Sequence, residues 1–447
     1  MKPDGCRSRT GRQSSGYRRL IYDAGFVRSE HVRHVRVTLM TAYLCLAVLP
    51  AHAASNPCGA ASCGNELVYF GTHTPGGPNE QQGAGTEFGI FAARFDARTG
   101  QLTSLGRVAE VERPTWIVAH PTLPVLYSVS DPVGSEPTEA LIFSFALDRA
   151  NGKLHEINRT GSAGGGATHL TLDSPARTLL VANYRTGDVS ALPIRADGGL
   201  EAVTSVQHDY GSGPSPRQTG PHAHAVVVDP WQRFVLAADL GADRIFIYRF
   251  DAANRQLTPA DPPYEQIPAG SGPRHLAFHP NGQLLFLDSE LSAEIRSYRW
   301  EPDTGRLHLL QTVSTVAPDY QGKKSAAELT VAHDGRFVYV SNRGEDSIVA
   351  YSVDVQSGTL TEMQRVSSQG KTPWSFALDP TGHWMLVANE ASSTVVVLEV
   401  NPTTGKLTGT PQELSVPKPV SVTFWCEPAV RSSPGHKAAS SLPTDCR

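Results

Sequence analysis

The chain has 447 residues, of which 40% are hydrophobic and 18% charged, so it carries enough apolar material for a large core. A formal charge of −4 excludes any global attraction to nucleic acid or anionic lipid. With 40 glycines and 33 prolines, it suits many short strands joined by turns.

Residues 1–53 read as an address. Arg28, Arg33 and Arg36 precede an apolar run, Leu39–Leu49, that is too short to span a bilayer. Ala51-His52-Ala53 then fits a small-x-small cleavage site, which predicts a mature N-terminus at Ala54. Tyr43-Leu44 before Cys45 is a poor lipid-attachment signal. The stretch before Val35 is unlike a signal sequence and reads as a start-site extension. The expected location is therefore periplasmic or secreted, with no membrane attachment after cleavage.

A Cys-containing segment follows at 54–65, and a C-terminal tail with cysteine occupies 426–447. Cys58, Cys63, Cys426 and Cys446 all fall at the two ends of the mature chain. In an oxidising compartment they imply disulfides, and the three possible connectivities are not distinguished by sequence. Their spacing is a poor zinc pattern.

Between the ends, residues 66–425 repeat one unit seven times. Each unit has an apolar strand ending near Pro or Asp, a turn, a second strand, a polar gap, a third strand and a Gly-x-Leu turn. The clearest first strands are Pro273–Pro280 (PRHLAFHP) and Pro373–Pro380 (PWSFALDP). Closing-turn leucines recur at Leu102, Leu154, Leu200, Leu257, Leu307, Leu360 and Leu407, about 50 residues apart, which is a propeller period. The fourth copy puts Arg255 where the turn glycine stands in the others. The predicted fold is an all-β, seven-bladed β-propeller. The first copy begins with second-strand sequence at Leu67, and the last is followed by first-strand sequence, Pro419–Trp425. The C-terminal strand is therefore expected to complete the N-terminal blade and close the ring without an open edge. A bond from Cys426 to Cys58 or Cys63 would pin that seam.

The repeat supplies an internal alignment. First strands should start at one mouth of a central channel, where the copies carry Thr115, Thr168, His224, Arg274, Ala327 and Trp374, followed by Trp116, His169, Ala225, His275, Glu328 and Ser375. His222 lies two residues before His224, on the same strand face if the strand extends that far. Second strands end nearby in Thr72-His73, Asp131, Asn183-Tyr184-Arg185, Asp239, Ser289-Glu290, Asn342-Arg343 and Asn389-Glu390. The collection suits an oxygen-rich anion or a sugar.

The motifs GPHAH at Gly220–His224, ADLGADR at Ala238–Arg244, GPRH at Gly272–His275, AAE at Ala326–Glu328 and VSNR at Val340–Arg343 resemble the lactonase family of seven-bladed propellers. That family includes propeller-type bacterial 6-phosphogluconolactonases and fungal carboxy-muconate lactonizing enzymes. The resemblance implies that His224, Arg274, Glu290 and Arg343 are catalytic, matching the residues proposed to act in the muconate enzymes. It makes His222, His275 and Glu328 characteristic family positions, taken with Asp239 as substrate-binding. Trp374 stands where the family usually has Arg, and Glu390 where Gln is usual. Both departures weaken the case for a strongly anionic substrate.

Lactone opening needs a donor for the developing oxyanion and a base for water, and Arg with His or Glu supplies both without a metal or cofactor. In this scheme Arg274 and Arg343 hold acid or carbonyl oxygens, His224 handles the proton, and Glu290 orients the water or the histidine. There is no G-x-S-x-G motif and no candidate catalytic cysteine. The expected protein is a monomeric hydrolase of a sugar-type lactone, with a small-molecule lactone or sugar acid as its partner. The alternatives are a muconate-type lactonizing cycloisomerase, a non-enzymatic binding propeller, and a calcium-dependent lactonase using Glu290 and Glu328.

Overall fold

The computed structural model describes residues 65–73, 88–131 and 139–426. These form seven four-stranded antiparallel sheets, and no described residue is helical. Each sheet is one blade, and in six of the seven the strands run from the channel outward in chain order. Blade 4, for example, comprises Ala223–Val228, Phe234–Asp239, Arg244–Asp251 and Gln256–Gln266. The inner strands of blades 2, 3, 5, 6 and 7 are Ile117–Ala119, Ala167–Leu172, Pro273–Phe278, Ala326–Val331 and Pro373–Leu378. Neighbouring inner strands touch around the whole circle.

Blade 1 is closed as the sequence predicts. Its inner strand is Pro419–Trp425, which pairs antiparallel with Asn65–Thr72, setting Leu67 opposite Trp425 and Phe70 opposite Val422. No blade edge faces the seam, because the two chain ends supply each other's ladder hydrogen bonds. Cys426 follows this strand directly. The calls on the signal segment, the cleavage site and the other cysteines lie outside the described residues.

The second strands are near-continuous apolar runs because a neighbouring blade covers each face. Val125–Ser130 and Phe234–Asp239 are buried at every position, whereas the outer strand Arg306–Ser314 alternates with exposed residues. The apolar residues form seven clusters, each shared by two adjacent blades. At the seam, Leu386 and Val397 of blade 7 meet Val68, Phe70 and Phe95 of blade 1. Each such side chain contributes roughly 1.5–3 kcal/mol on burial, so a blade is stable only between neighbours.

The closing turns lock blades together. Gly305 has φ +74, and a Cβ there would lie 2.6 Å from the ring of Phe234 in the preceding blade. Arg255, the exception noted in the fourth copy, adopts the same left-handed backbone with φ 55.

Candidate active site

In blades 3 to 7 the inner strand opens with a bulge opposite the end of the second strand. In blade 4, Ala223 pairs with Asp239 and Ala225 with Ala238, which leaves His224 as the extra residue. Thr168 and Trp374 occupy the same place in blades 3 and 7. The bulges of blades 5 and 6 contain Arg274-His275 and Ala327-Glu328. An extra residue breaks the in–out alternation and re-aims its side chain. The chemically distinctive column of the repeat is therefore the column of bulges.

Thr168, His224, Arg274, His275 and Trp374 line a cavity of about 310 Å³. That volume is near the lower end for small-molecule sites, roughly 300–1,000 Å³. Of the sequence-predicted residues, His222, His224, Arg274 and His275 line it. Glu290, Arg343, Glu328 and Asp239 are not part of the lining.

Glu290 is the electrostatic centre of that set. Arg343 Nη2 lies 2.7 Å and Arg274 Nε 3.2 Å from its Oε2, and Arg217 donates to its Oε1. Burial by itself would raise the pKa of Glu290, but Arg343, Arg274 and Arg217 hold it down at about 2. Both oxygens are thus taken by guanidinium groups. The expectation that Glu290 orients water or His224 is corrected: it is an ionised anchor for three arginines. The expectation that Arg343 holds substrate oxygens changes too. Its guanidinium is occupied by Glu290 and stacks 4.4 Å above the ring of Trp374, outside the cavity lining. Three cations against one carboxylate leave positive charge in excess, and Arg274 presents it to the cavity.

The two histidines of the floor differ in what engages them. His275 Nδ1 is 2.9 Å from Glu328 Oε1, and its Nε2 is 3.2 Å from Arg274 Nη1. A guanidinium only donates, so Nε2 accepts and Nδ1 carries the proton to Glu328. Ser375 Oγ donates to the other Glu328 oxygen at 2.9 Å. Burial lowers the pKa of His275, with Glu328 opposing and Arg274 adding to the shift. Its ring is neutral and fully engaged. His224 has no such partners. Its Nδ1 is buried and makes no hydrogen bond among the described residues, and the ring is held edge-on between Tyr184 and His275 at centroid distances of 5.6 and 5.3 Å. Burial, then Arg274, His275, Arg343 and His169, push its pKa well below 6.5. His224 is therefore neutral at pH 7, with an imidazole free to accept a proton.

His222 stacks on Tyr184 at 4.6 Å and 12°, and its Nδ1 lies 2.8 Å from the Tyr184 carbonyl oxygen. Asp239 is corrected from substrate ligand to structural residue. It is fully buried, and its Oδ1 accepts from the backbone N–H groups of His222 and Ala242 at 2.8 and 2.7 Å. The carboxylate fixes the segment carrying His222 and never reaches the cavity.

Sequence reasoning missed several residues. Arg217 belongs to a loop outside the repeat and bridges Glu290 and the Tyr184 hydroxyl, the latter at 3.1 Å. Its signal was an arginine in the insertion just before GPHAH. Trp116 and Arg185, both lining the cavity, were visible in the aligned columns but not selected. His169, in the same column as His275, packs against Trp116 at 4.4 Å. The two departures meet here as well: His73 lies 3.7 Å from Glu390 and edges onto Trp374 at 4.8 Å.

The family described as "Lactonase, 7-bladed beta-propeller" matches residues 67–424. A 6-phosphogluconolactonase from Bacillus subtilis is 32% identical over 358 residues, covering 80% of this chain and 98% of the relative. A 6-phosphogluconolactonase from Formosa agariphila is 30% identical over 332 residues, covering 73% of this chain and 93% of the relative. The solved structure of a periplasmic gluconolactonase from Pseudomonas aeruginosa is 35% identical, with a TM-score of 0.75, and is matched over its whole length by 81% of this chain.

Proposed function

The chain belongs to the lactonase family of seven-bladed β-propellers, and from that premise we propose that it hydrolyses a sugar-type lactone at the cavity lined by His224 and Arg274. One observation carries the reading: His224, whose Nδ1 has no hydrogen-bond partner among the described residues, lines the same cavity as Arg274, the cavity-facing member of a cation-rich cluster.

In this mechanism a water oxygen attacks the lactone carbonyl carbon while its proton passes to His224. The carbonyl oxygen becomes an oxyanion facing Arg274. Such preorganised donors are worth roughly 2.7–4 kcal/mol. Collapse of the tetrahedral species breaks the ring C–O bond, and His224 returns the proton to the leaving alkoxide, giving the open hydroxy acid. Glu290, itself paired with Arg343 and Arg217, holds Arg274 in place, and Glu328 fixes His275. Charge stabilisation is assigned to arginine rather than to calcium because Glu290 is occupied by three guanidiniums and Glu328 by His275 and Ser375.

A phosphate on the substrate is not required in this reading. Trp374 replaces a cation at the mouth, and Arg343 is consumed by Glu290 and Trp374. The N-terminal address supports export to the periplasm or beyond, where an unphosphorylated sugar lactone is the more accessible substrate. N-terminal sequencing of the exported form should begin near Ala54.

The test is a lactone panel on the purified protein, including glucono-δ-lactone, 6-phosphogluconolactone and a carboxy-muconolactone. Opening of the first supports the proposal. Selective equilibration of the muconolactone with its open acid would replace it with the cycloisomerase reading. Tight ligand binding without turnover would replace it with a recognition propeller.

A further inference from the structure

We propose that Asp131 and Arg185 form a hydroxyl-recognition subsite that selects a polyhydroxylated, unphosphorylated lactone; the inference rests on the lactonase reading above. Asp131 follows the second strand of blade 2, and Arg185 follows that of blade 3. Both line the cavity. Arg185 Nη2 donates to Asp131 Oδ2 at 2.7 Å. Asp131 is only 8% exposed, and its Oδ1 has no hydrogen-bond partner among the described residues.

An unmet buried acceptor costs about 1–3 kcal/mol, more when charged. An arginine already orients this carboxylate, and its second oxygen is buried and unpaired within a residue of the cavity wall, an acceptor that a ligand hydroxyl reaching into the wall completes. The hydroxyl donates to Oδ1 and sits against the Arg185 guanidinium. In a ring of seven, blade 2 faces blades 5 and 6, so a ligand whose carbonyl meets Arg274 on blade 5 extends its far end toward Asp131. Trp116, the cavity-lining aromatic of blade 2, has its indole fixed by donation from Nε1 to the Leu170 carbonyl at 3.2 Å. It offers an apolar face to the C–H side of a sugar ring. A phosphate dianion at the same end would meet the Asp131 carboxylate and an arginine whose charge that carboxylate already balances. Arg113 also lines this wall, so the phosphorylated substrate has to be measured directly.

The experiment compares kcat/KM for glucono-δ-lactone, for 6-phosphogluconolactone, and for δ-valerolactone, which has the same ring size and no hydroxyls. Wild type should prefer glucono-δ-lactone to both. Asp131→Ala should lower the gluconolactone-to-valerolactone ratio roughly tenfold or more, the equivalent of one lost hydrogen bond to a charged group. Asp131→Asn keeps the shape and one acceptor oxygen, and should retain an intermediate ratio even if the alanine variant folds poorly. Equal loss on glucono-δ-lactone and δ-valerolactone in the asparagine variant would overturn the subsite. So would a wild-type preference for the phosphorylated lactone. A wild type that opens none of the three would overturn the lactonase reading, and this inference with it.

Discussion

Arg343 and Glu290 form a buried ion pair, Nη2 to Oε2 2.7 Å, with side chains 9% and 3% exposed. That carboxylate is the only one in contact with three arginines among the described residues, so it sets the charge of the whole floor.

Replacing it should be costly. Glu290→Gln leaves the buried Arg274 and Arg343 without their counter-charge, and removing one partner of a buried pair typically costs about 3–5 kcal/mol. Chemical denaturation should show that loss together with loss of turnover. Glu290 also contributes acid sensitivity. Its folded pKa of about 2 lies below the usual 4.5, so its stabilisation is complete above 4.5 and lost as pH falls toward 2. Arg217→Ala should be milder, because Arg217 is half exposed, with 46% of its side chain accessible.

The pH profile should follow His224. Its conjugate acid has a pKa pushed well below 6.5 by burial and by Arg274. The base form is therefore present throughout the neutral range. Log kcat/KM should stay flat as pH falls through 6.5 and decline only in more acidic solution. A decline centred at 6.5 would show that a different, unperturbed histidine takes the proton.

A second buried acid should shape stability on the alkaline side. Asp288 is fully buried, and desolvation raises its pKa to about 8 against the pull of Arg274. From 3.8 to about 8 the folded state holds a proton that the unfolded state has lost. Stability therefore falls with rising pH across that window, by up to about 1.4 kcal/mol per pH unit, and levels off above it. Asp288→Asn cannot titrate, and its Oδ1 can still accept the His275 N–H that Asp288 receives at 2.7 Å. Its melting temperature should change less between pH 6 and 8 than that of wild type.

Ring closure should be indispensable. Deleting everything from Pro419 onward removes the inner strand of blade 1, including buried Val420, Val422 and Trp425. Leu67–Phe70 would then become an exposed edge. The truncated chain should not give a soluble, cooperatively melting product.

The fold was legible because the repeat is written in residues with steric roles: the Gly-x-Leu turns, the apolar second strands, and a first strand displaced to the C-terminus. The mouth residues were legible for the same reason, since one column departs from the repeat in each copy. The bulge that aims them was not, because an inserted residue leaves hydrophobic periodicity almost unchanged over so short a strand. Arg217 was missed because it lies in the long connection between blades 3 and 4, outside the strand columns that the repeat aligns. Asp239 misled because strand ends cluster at the mouth whether or not their side chains turn toward it. In this case the carboxylate turns back to the amides of His222 and Ala242.

Chelation distinguishes arginine from metal chemistry. With both floor carboxylates engaged by protein cations or hydrogen-bond donors, treatment with EDTA should leave lactone opening at its original rate. Loss of activity restored by calcium would assign the carboxylates to a metal instead.

The most direct measurement is the rate of glucono-δ-lactone opening by wild type and His224→Ala side by side, with melting temperatures as the folding control. Wild type should accelerate opening, and the variant should lose roughly 10²–10⁴ in kcat. It should melt within a few degrees of wild type, because the buried His224 Nδ1 makes no hydrogen bond among the described residues that the fold would miss. A His224→Ala protein that opens the lactone at the wild-type rate would contradict the account.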